Sequence, residues 1–237
     1  MVNLVIDGKK IQAKEGITLL EAARENGIDI PTLCSHESLE PSGACRLCSV
    51  EVTKGNRSKI VTSCIYTVEE GIKVNTESER VKKVRKLIME LLLARNPDSD
   101  VIIELAEKLG VKPQKRFLPD HDKGKCILCR LCIKTCETIV GVSAIGFSSR
   151  GATKIVGTPF DEESDVCIGC GACAYVCPTG HIQMETTGDT RTIWGRTFKM
   201  TACNVCGRYF APEDQLKYIS QKTGVPLKEL STCTSCR

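Results

Sequence analysis

The sequence predicts an α+β chain of several small modules, and three observations carry that prediction. Apolar residues alternate with period two at the start of the chain and give way to a short helical pattern before residue 27. Two longer helical patterns lie between residues 77 and 110. The 16 cysteines fall mostly in tight, repeated spacings on either side of those helices. Four stretches result: 1–76, 77–116, 117–186 and 187–237.

Sixteen cysteines leave two regimes, a disulfide scaffold outside the cell or metal sites inside it. Metal is favoured, because the spacings suit cluster ligands and small disulfide proteins are much shorter than 237 residues. The opening Met1–Asp7 has no basic segment leading into a long apolar core, so no secretory signal is read and a cytoplasmic chain is expected. No apolar run approaches the roughly 20 residues that span a bilayer. The longest, Leu91–Ala94, continues a helix carrying Arg85 and Lys86 and is expected in the core. Net charge is +4, from 33 basic and 29 acidic residues, which suits a mixed solvated surface rather than the acidic coat of a diffusing electron carrier. With 4% aromatic residues there is no stacking platform for single strands, and no nucleic-acid partner is expected.

Val2, Leu4 and Ile6 mark a strand, Asp7-Gly8 a hairpin turn, and Lys10–Ala13 the return strand. Thr18-Leu-Leu-Glu21 is a capping box for a helix with Leu19, Leu20, Ala22 and Ala23 on one face, and Gly27 stands where a left-handed cap belongs. Strand, turn, strand and helix make the first half of a β-grasp sheet. Cys34, Cys45, Cys48 and Cys64 follow, with Cys45 and Cys48 just before the strand Ser49–Val52. Four thiolates on loops around a sheet satisfy a [2Fe-2S] centre, and zinc is the competing occupant. The wide first gap departs from the plant-type spacing. His36 beside Cys34 has no second histidine nearby for a mixed His/Cys centre and reads as a loop residue.

The third stretch reads Cys126-Ile-Leu-Cys129-Arg-Leu-Cys132-Ile-Lys-Thr-Cys136. After an insert comes Cys167-Ile-Gly-Cys170-Gly-Ala-Cys173-Ala-Tyr-Val-Cys177-Pro178. Each is C-x2-C-x2-C-x3-C, the bacterial ferredoxin run, in which three cysteines hold one [4Fe-4S] cube and the fourth reaches to the other. The expected sets are Cys126, Cys129, Cys132 and Cys177 for one cube, and Cys136, Cys167, Cys170 and Cys173 for the second. Short strands are expected near Gly141–Phe147 and Lys154–Gly157. Ile127, Leu131, Ile133, Ile168 and Val176 are expected to wall the cubes from solvent. Glu137 and His181 read as a solvated and a structural residue.

The segments Ile30–Cys34 and Gly43–Val52, with Gly71–Val74 and the run to Cys177-Pro178-Thr179-Gly180, resemble the start of the large iron–sulfur subunit of respiratory complex I. They are also similar to the corresponding subunits of NAD-linked hydrogenases and formate dehydrogenases, and the likeness covers about three quarters of the chain. One departure is plain. Such proteins place a histidine and three cysteines in the middle segment for a further [4Fe-4S] cluster, whereas no cysteine stands between Cys64 and Cys126 and the one histidine there is His121. The resemblance then implies a route from the [2Fe-2S] centre directly to the cube pair, or through another subunit. Thr76–Glu79 offers a capping box, Val81, Val84, Ile88, Leu91 and Leu92 a helical face, and Val101, Ile102, Leu105 and Leu109 a second helix ending at Gly110. Asn96-Pro97-Asp98 breaks the first helix, and because Arg95-Asn96-Pro97 stands where the missing ligands would begin, the gap is read as replaced by helix.

The last stretch holds Cys203-Asn-Val-Cys206 and Cys233-Thr-Ser-Cys236, framing an amphipathic helix over Pro212–Ile219. Two C-x2-C pairs suit a closed tetrahedral S4 zinc site, with an iron–sulfur cluster or single iron as the alternative. No basic stripe marks the intervening helix, so docking to a protein subunit is expected rather than DNA binding.

No G-x-G-x-x-G unit, Walker loop or nucleophile elbow is present, nor any further cysteine set for a hydrogen-activating centre. The expectation is an α+β multidomain chain: a β-grasp [2Fe-2S] domain (1–76), a helical linker (77–116), a 2[4Fe-4S] ferredoxin-like domain (117–186) and a zinc-ribbon-like module (187–237). The resemblance implies an electron-transfer subunit of an NAD(P)H-linked oxidoreductase, non-catalytic alone, with electron bifurcation open to the complex. Its partners would be a flavin/NAD(P)H-binding diaphorase subunit and a catalytic metal subunit (hydrogenase, formate dehydrogenase or aldehyde-type enzyme) or soluble ferredoxin. A redox-sensing or scaffold protein is the competing class.

Overall fold

The computed structural model describes residues 1–121 and 124–237, which fall into two compact units, Met1–Arg130 and Leu131–Arg237. In the first unit, β1 (Val2–Ile6) and β2 (Lys9–Ala13) form the expected antiparallel hairpin. Helix α1 (Leu19–Glu25) follows, with the Thr18–Glu21 capping box made in both directions. Gly27 continues the chain at φ 73°, a conformation that costs a residue with a Cβ about 1 kcal/mol or more. The strands β3 (Ser49–Lys54), β4 (Arg57–Thr62) and β5 (Lys73–Asn75) complete a mixed sheet in the order β2-β1-β5-β3-β4, with β1 and β5 parallel. Leu4, Ile6, Ile11, Val50, Val52 and Val74 from the sheet pack on Leu19, Leu20, Ala22 and Ala23 of α1. This is the β-grasp arrangement.

Helices α2 (Glu79–Arg95) and α3 (Asp100–Lys108) follow where the periodicity places them. The N-cap of α2 is Ser78, whose hydroxyl accepts from Val81 N. The buried face differs from the expected one. Val81, Arg85, Met89 and Leu93 point inward, at steps of four residues, whereas Leu91 is 47% exposed. Apolar periodicity overlooks a charged residue at a core position. Here burial is satisfied because the Arg85 guanidinium finds backbone carbonyls, so desolvation is offset by hydrogen bonds. The helix ends at Arg95, at the Asn96-Pro97-Asp98 break, and Asn96 caps it, fully buried.

The second unit begins with the short helix α4 (Leu131–Lys134), which runs into a π-helical stretch, Thr135–Val140, closed by Gly141 at φ 80°. A two-stranded ribbon joins β6 (Gly146–Ser148) to β7 (Ile155–Gly157), and α5 (Ala172–Tyr175) packs against α4. A meander of β8 (Met184–Thr187), β9 (Thr190–Ile193), β10 (Arg196–Ala202) and β11 (Tyr209–Pro212) follows. Helix α6 (Glu213–Thr223) and α7 (Leu227–Leu230) close the chain over a small core of Ala211, Leu216 and Leu230. Among the described residues no helix is long and apolar enough to cross a membrane.

Candidate metal centres

The loops around β3 and β4 bring Cys34, Cys45, Cys48 and Cys64 together, all buried. Their sulfurs hydrogen-bond one another. Cys34 accepts from the Cys45 thiol and then from that of Cys64, which together hold its pKa down to about 2. Cys48 is held to about 6, chiefly by the Cys64 thiol. The two donors shift the opposite way, Cys45 upward because it donates to Cys34 and Cys64 because it donates to Cys34 and Cys48. Four sulfurs sharing protons in this way form a site where a cationic centre can replace the protons. Backbone N–H of Cys45 also donates to Cys34 Sγ at 3.3 Å. The fully buried hydroxyl of Ser63 meets no acceptor at hydrogen-bonding geometry, yet lies close enough to Cys48 to favour its thiolate. An orphaned donor facing clustered thiolates fits a sulfide-bearing centre. His36 takes no part: its Nδ1 accepts from Ser38 N within the loop.

One side chain leads from this site toward the next cysteines. The Ser42 hydroxyl donates to the Cys129 carbonyl at 3.2 Å and is also within hydrogen-bonding reach of the Cys34 sulfur. The Cys126 carbonyl is gripped by α2 and its cap, receiving Arg95 Nε at 3.3 Å and Asn96 Nδ2 at 3.1 Å. The helical segment between Cys64 and Cys126 therefore braces the first cysteine of the central run.

The two central runs share a backbone. Leu128 and Arg130 have φ of 53° and 72°, and Gly169 and Gly171, at the same offsets in the second run, have 66° and 78°. Such turns aim N–H groups at sulfur, as Leu128 N does at Cys126 Sγ (3.4 Å). In the second unit Cys136, Cys167, Cys170 and Cys173 line one small cavity with Ala144, Ile145, Ile168, Ile193 and Trp194. Burial raises the thiol pKa of Cys167, Cys170 and Cys173, the last to about 11. Ala144 N donates to Cys136 Sγ at 3.2 Å, and the π-helical turn presents the Cys136 carbonyl to the N–H groups of Gly141 and Val142. Cys132 is buried in α4 and Cys177 follows α5, half-buried, near the Thr179 hydroxyl. Leu131, Ile133 and Ile168 are buried as expected of a wall, whereas Ile127 and Val176 are half-exposed. Glu137 is exposed.

The β-meander supplies groups the sequence reading missed. Arg191 Nη1 donates to the Gly169 and Cys170 carbonyls, and Arg196 Nη1 to those of Ser164, Asp165 and Cys167. Trp194 Nε1 lies 3.4 Å from Cys173 Sγ. Tyr218 of α6 donates to the Val140 carbonyl at 2.9 Å. The sequence signal was faint: the chain's one tryptophan and a Gly-bearing turn beside it.

Cys203, Cys206, Cys233 and Cys236 bring their sulfurs within 4.8 Å of one another, a spacing that suits one ion. Backbone N–H groups of Cys233 (3.3 Å) and Val205 (3.5 Å) donate to Cys203 Sγ, and such bonds lower its pKa to about 6. The side chain of Arg208 lowers that of Cys206.

These features define an iron–sulfur protein of two cluster-binding domains. Residues 1–79 match the 2Fe-2S iron-sulfur cluster binding domain family, and residues 125–181 the 4Fe-4S dicluster domain family. The chain is 35% identical over 228 residues to the NADPH-Fe(3+) oxidoreductase subunit alpha of Geobacter sulfurreducens, an alignment of 87% of this chain and 27% of the relative. It is 34% identical over 209 residues to the NADP-reducing hydrogenase subunit HndD of Solidesulfovibrio fructosivorans (76% and 35%). It is 28% identical over 231 residues to an NADH-quinone oxidoreductase subunit from Rhizobium meliloti (87% and 27%). A chain in the structure of an NAD+-reducing [NiFe]-hydrogenase in its H2-reduced state superposes with a TM-score of 0.58 at 28% identity, covering 66% of this chain and 74% of that one. The chain spans between 27% and 35% of the length of these curated relatives.

Proposed function

We propose that this chain is the electron-transfer part of a multisubunit NAD(P)H-linked oxidoreductase. In this reading Cys34, Cys45, Cys48 and Cys64 hold a [2Fe-2S] cluster. Cys126, Cys129, Cys132 and Cys177 hold one [4Fe-4S] cluster, and Cys136, Cys167, Cys170 and Cys173 a second. Cys203, Cys206, Cys233 and Cys236 hold zinc. The clusters, when bound, supply one-electron carriers. The protein's own residues do the rest: they exclude water, donate N–H groups to sulfur and hold the ligand loops in place.

The observation that carries the reading is Ser42, which touches the Cys129 carbonyl and reaches the Cys34 sulfur. One short side chain between the four-thiol site and the Cys129 loop supports a direct step from the [2Fe-2S] centre to the first cube, without an intermediate cluster. A flavin/NAD(P)H-binding diaphorase subunit would stand on the [2Fe-2S] side, and a catalytic metal subunit or soluble ferredoxin on the other. The names of the relatives support both ends, since they are NADP- and NADPH-linked oxidoreductase subunits.

The test is metal and sulfide analysis of anaerobically purified protein, with EPR-monitored reduction. About ten irons and one zinc per chain, with centres reducible near −400 mV and magnetic coupling between a [2Fe-2S] and a [4Fe-4S] signal, are expected. Mainly zinc with little acid-labile sulfide would sink the proposal. Clusters that react with oxidants but exchange no electrons with a co-purifying subunit would favour a redox sensor.

A further inference from the structure

We infer that Trp194 is a tuning residue, which raises the reduction potential of the cluster held by Cys136, Cys167, Cys170 and Cys173, with Arg191 as its helper. The inference rests on the reading that these four cysteines hold a [4Fe-4S] cluster, and it adds which residues set that cluster's driving force.

Four observations converge on it. The Trp194 indole N–H is 3.4 Å from Cys173 Sγ, and its ring lines the cavity of the four thiols. Trp194 itself stands at φ 54°, in the left-handed region that a bulky residue avoids. The two-residue turn between the paired Ile193 and Arg196 requires that geometry of both Trp194 and Gly195, the latter at φ 77°. Here that geometry turns the β9–β10 hairpin so that the indole meets the sulfur. Third, Arg191 on β9 places a part-buried positive charge against the Gly169 and Cys170 carbonyls, at 3.2 Å and 3.4 Å. Fourth, the close approach is built in from the other side. A Cβ on Gly169 would stand 2.6 Å from the Phe198 ring, and one on Gly171 2.5 Å from Met184 Sδ. The Gly169 loop therefore lies directly against the Phe198 ring, with no room for a side chain between them.

The direction follows from charge. A reduced cluster carries one more negative charge than an oxidised one, shared over its sulfurs. An N–H donor and a nearby guanidinium stabilise that state more than the oxidised state, so both raise the potential. In water such groups would be screened. In a cavity lined by Ile145, Ile168 and Ile193 they are screened less.

The experiment is an EPR-monitored redox titration of the full-length, anaerobically purified chain carrying Trp194→Phe, which keeps the ring and deletes the donor. One of the two [4Fe-4S] signals is expected to become about tenfold harder to reduce, equal to 59 mV for a one-electron couple, while the [2Fe-2S] signal stays in place. Trp194→His, which keeps a ring N–H, should recover part of the shift. Arg191→Gln should move the same signal in the same direction. Unchanged potentials in W194F with full iron content would overturn the inference. If W194F loses the cube altogether, R191Q decides: a lowered potential supports the tuning role and an unmoved one overturns it. Failure of the underlying reading is separate, because it shows in the wild-type protein as fewer than two [4Fe-4S] signals.

Discussion

Leu128 and Gly169 occupy the same place in the two cysteine runs and share one backbone conformation, φ 53° and 66°. Only the second is constrained from outside, because the Phe198 ring of β10 lies where its Cβ would be. Gly169→Ala should therefore be far worse than its size suggests. Left-handed strain of about 1–2 kcal/mol adds to a clash with a packed ring. Iron content of the purified variant should fall by about one cube's worth, four atoms. Gly169→Ala with Phe198→Ala should recover part of it. Leu128→Gly removes strain and should leave iron content unchanged.

Arg85 tests the unexpected face of α2. Its side chain is 4% exposed and donates to the Leu47 carbonyl at 3.1 Å and the Ser49 carbonyl at 3.0 Å, on either side of Cys48. Arg85→Met leaves two buried carbonyls without donors, at about 1–3 kcal/mol each. The guanidinium chloride midpoint should drop accordingly, and the visible absorbance of the N-terminal centre should bleach earlier than in the wild type. Arg85→Lys should recover only part, since one ammonium cannot reproduce the planar fork. A midpoint within error of wild type would show that α2 contributes nothing to the loop.

The C-terminal thiols make a sharper metal test than a deletion. Cys206→Ser or Cys236→Ser leaves three ligands of a four-sulfur set. One zinc per chain should be lost on mild chelation while iron content is unchanged. Loss of iron with zinc retained would reassign the site.

Tyr66 gives a pH dependence of known sign. Burial first, and then the nearby Glu69 carboxylate, push its phenol up to about 12 from 10. A raised folded pKa means stability that is fully present below pH 10 and is lost as pH rises toward 12. Urea midpoints of apo-protein at pH 9 and pH 11 should fall less in Tyr66→Phe than in wild type. An equal fall in both would remove Tyr66 from the alkaline limb.

Much of the fold was legible because it is local chemistry. Asp7-Gly8 reads as a turn, Thr18 and Glu21 as a capping box, and Gly27 and Gly110 as stops, since each acts through bonds a few residues long. The cysteine runs were equally legible, because cluster ligands need fixed spacing. The inward face of α2 was not. Hydrophobic periodicity assigns an arginine to solvent, and nothing within five residues of Arg85 announces the carbonyls that take it in. Trp194 was missed for the same reason: its partner Cys173 is 21 residues away across a hairpin.

By itself, then, the sequence determined a 2Fe-2S and a 4Fe-4S dicluster domain, the spacing of the cysteines, and that none of them stands between Cys64 and Cys126. Those follow from spacing and short-range capping. Only the tertiary structure decided what surrounds the thiols: Ser42 linking the Cys34 site to the Cys129 loop, Asn96 gripping the Cys126 carbonyl, and the β-meander pressed on the loop of Gly169 and Gly171. Those are contacts between residues far apart in the chain, fixed by packing and by the need of each buried polar group for a partner, and no pattern of neighbours along the sequence encodes them.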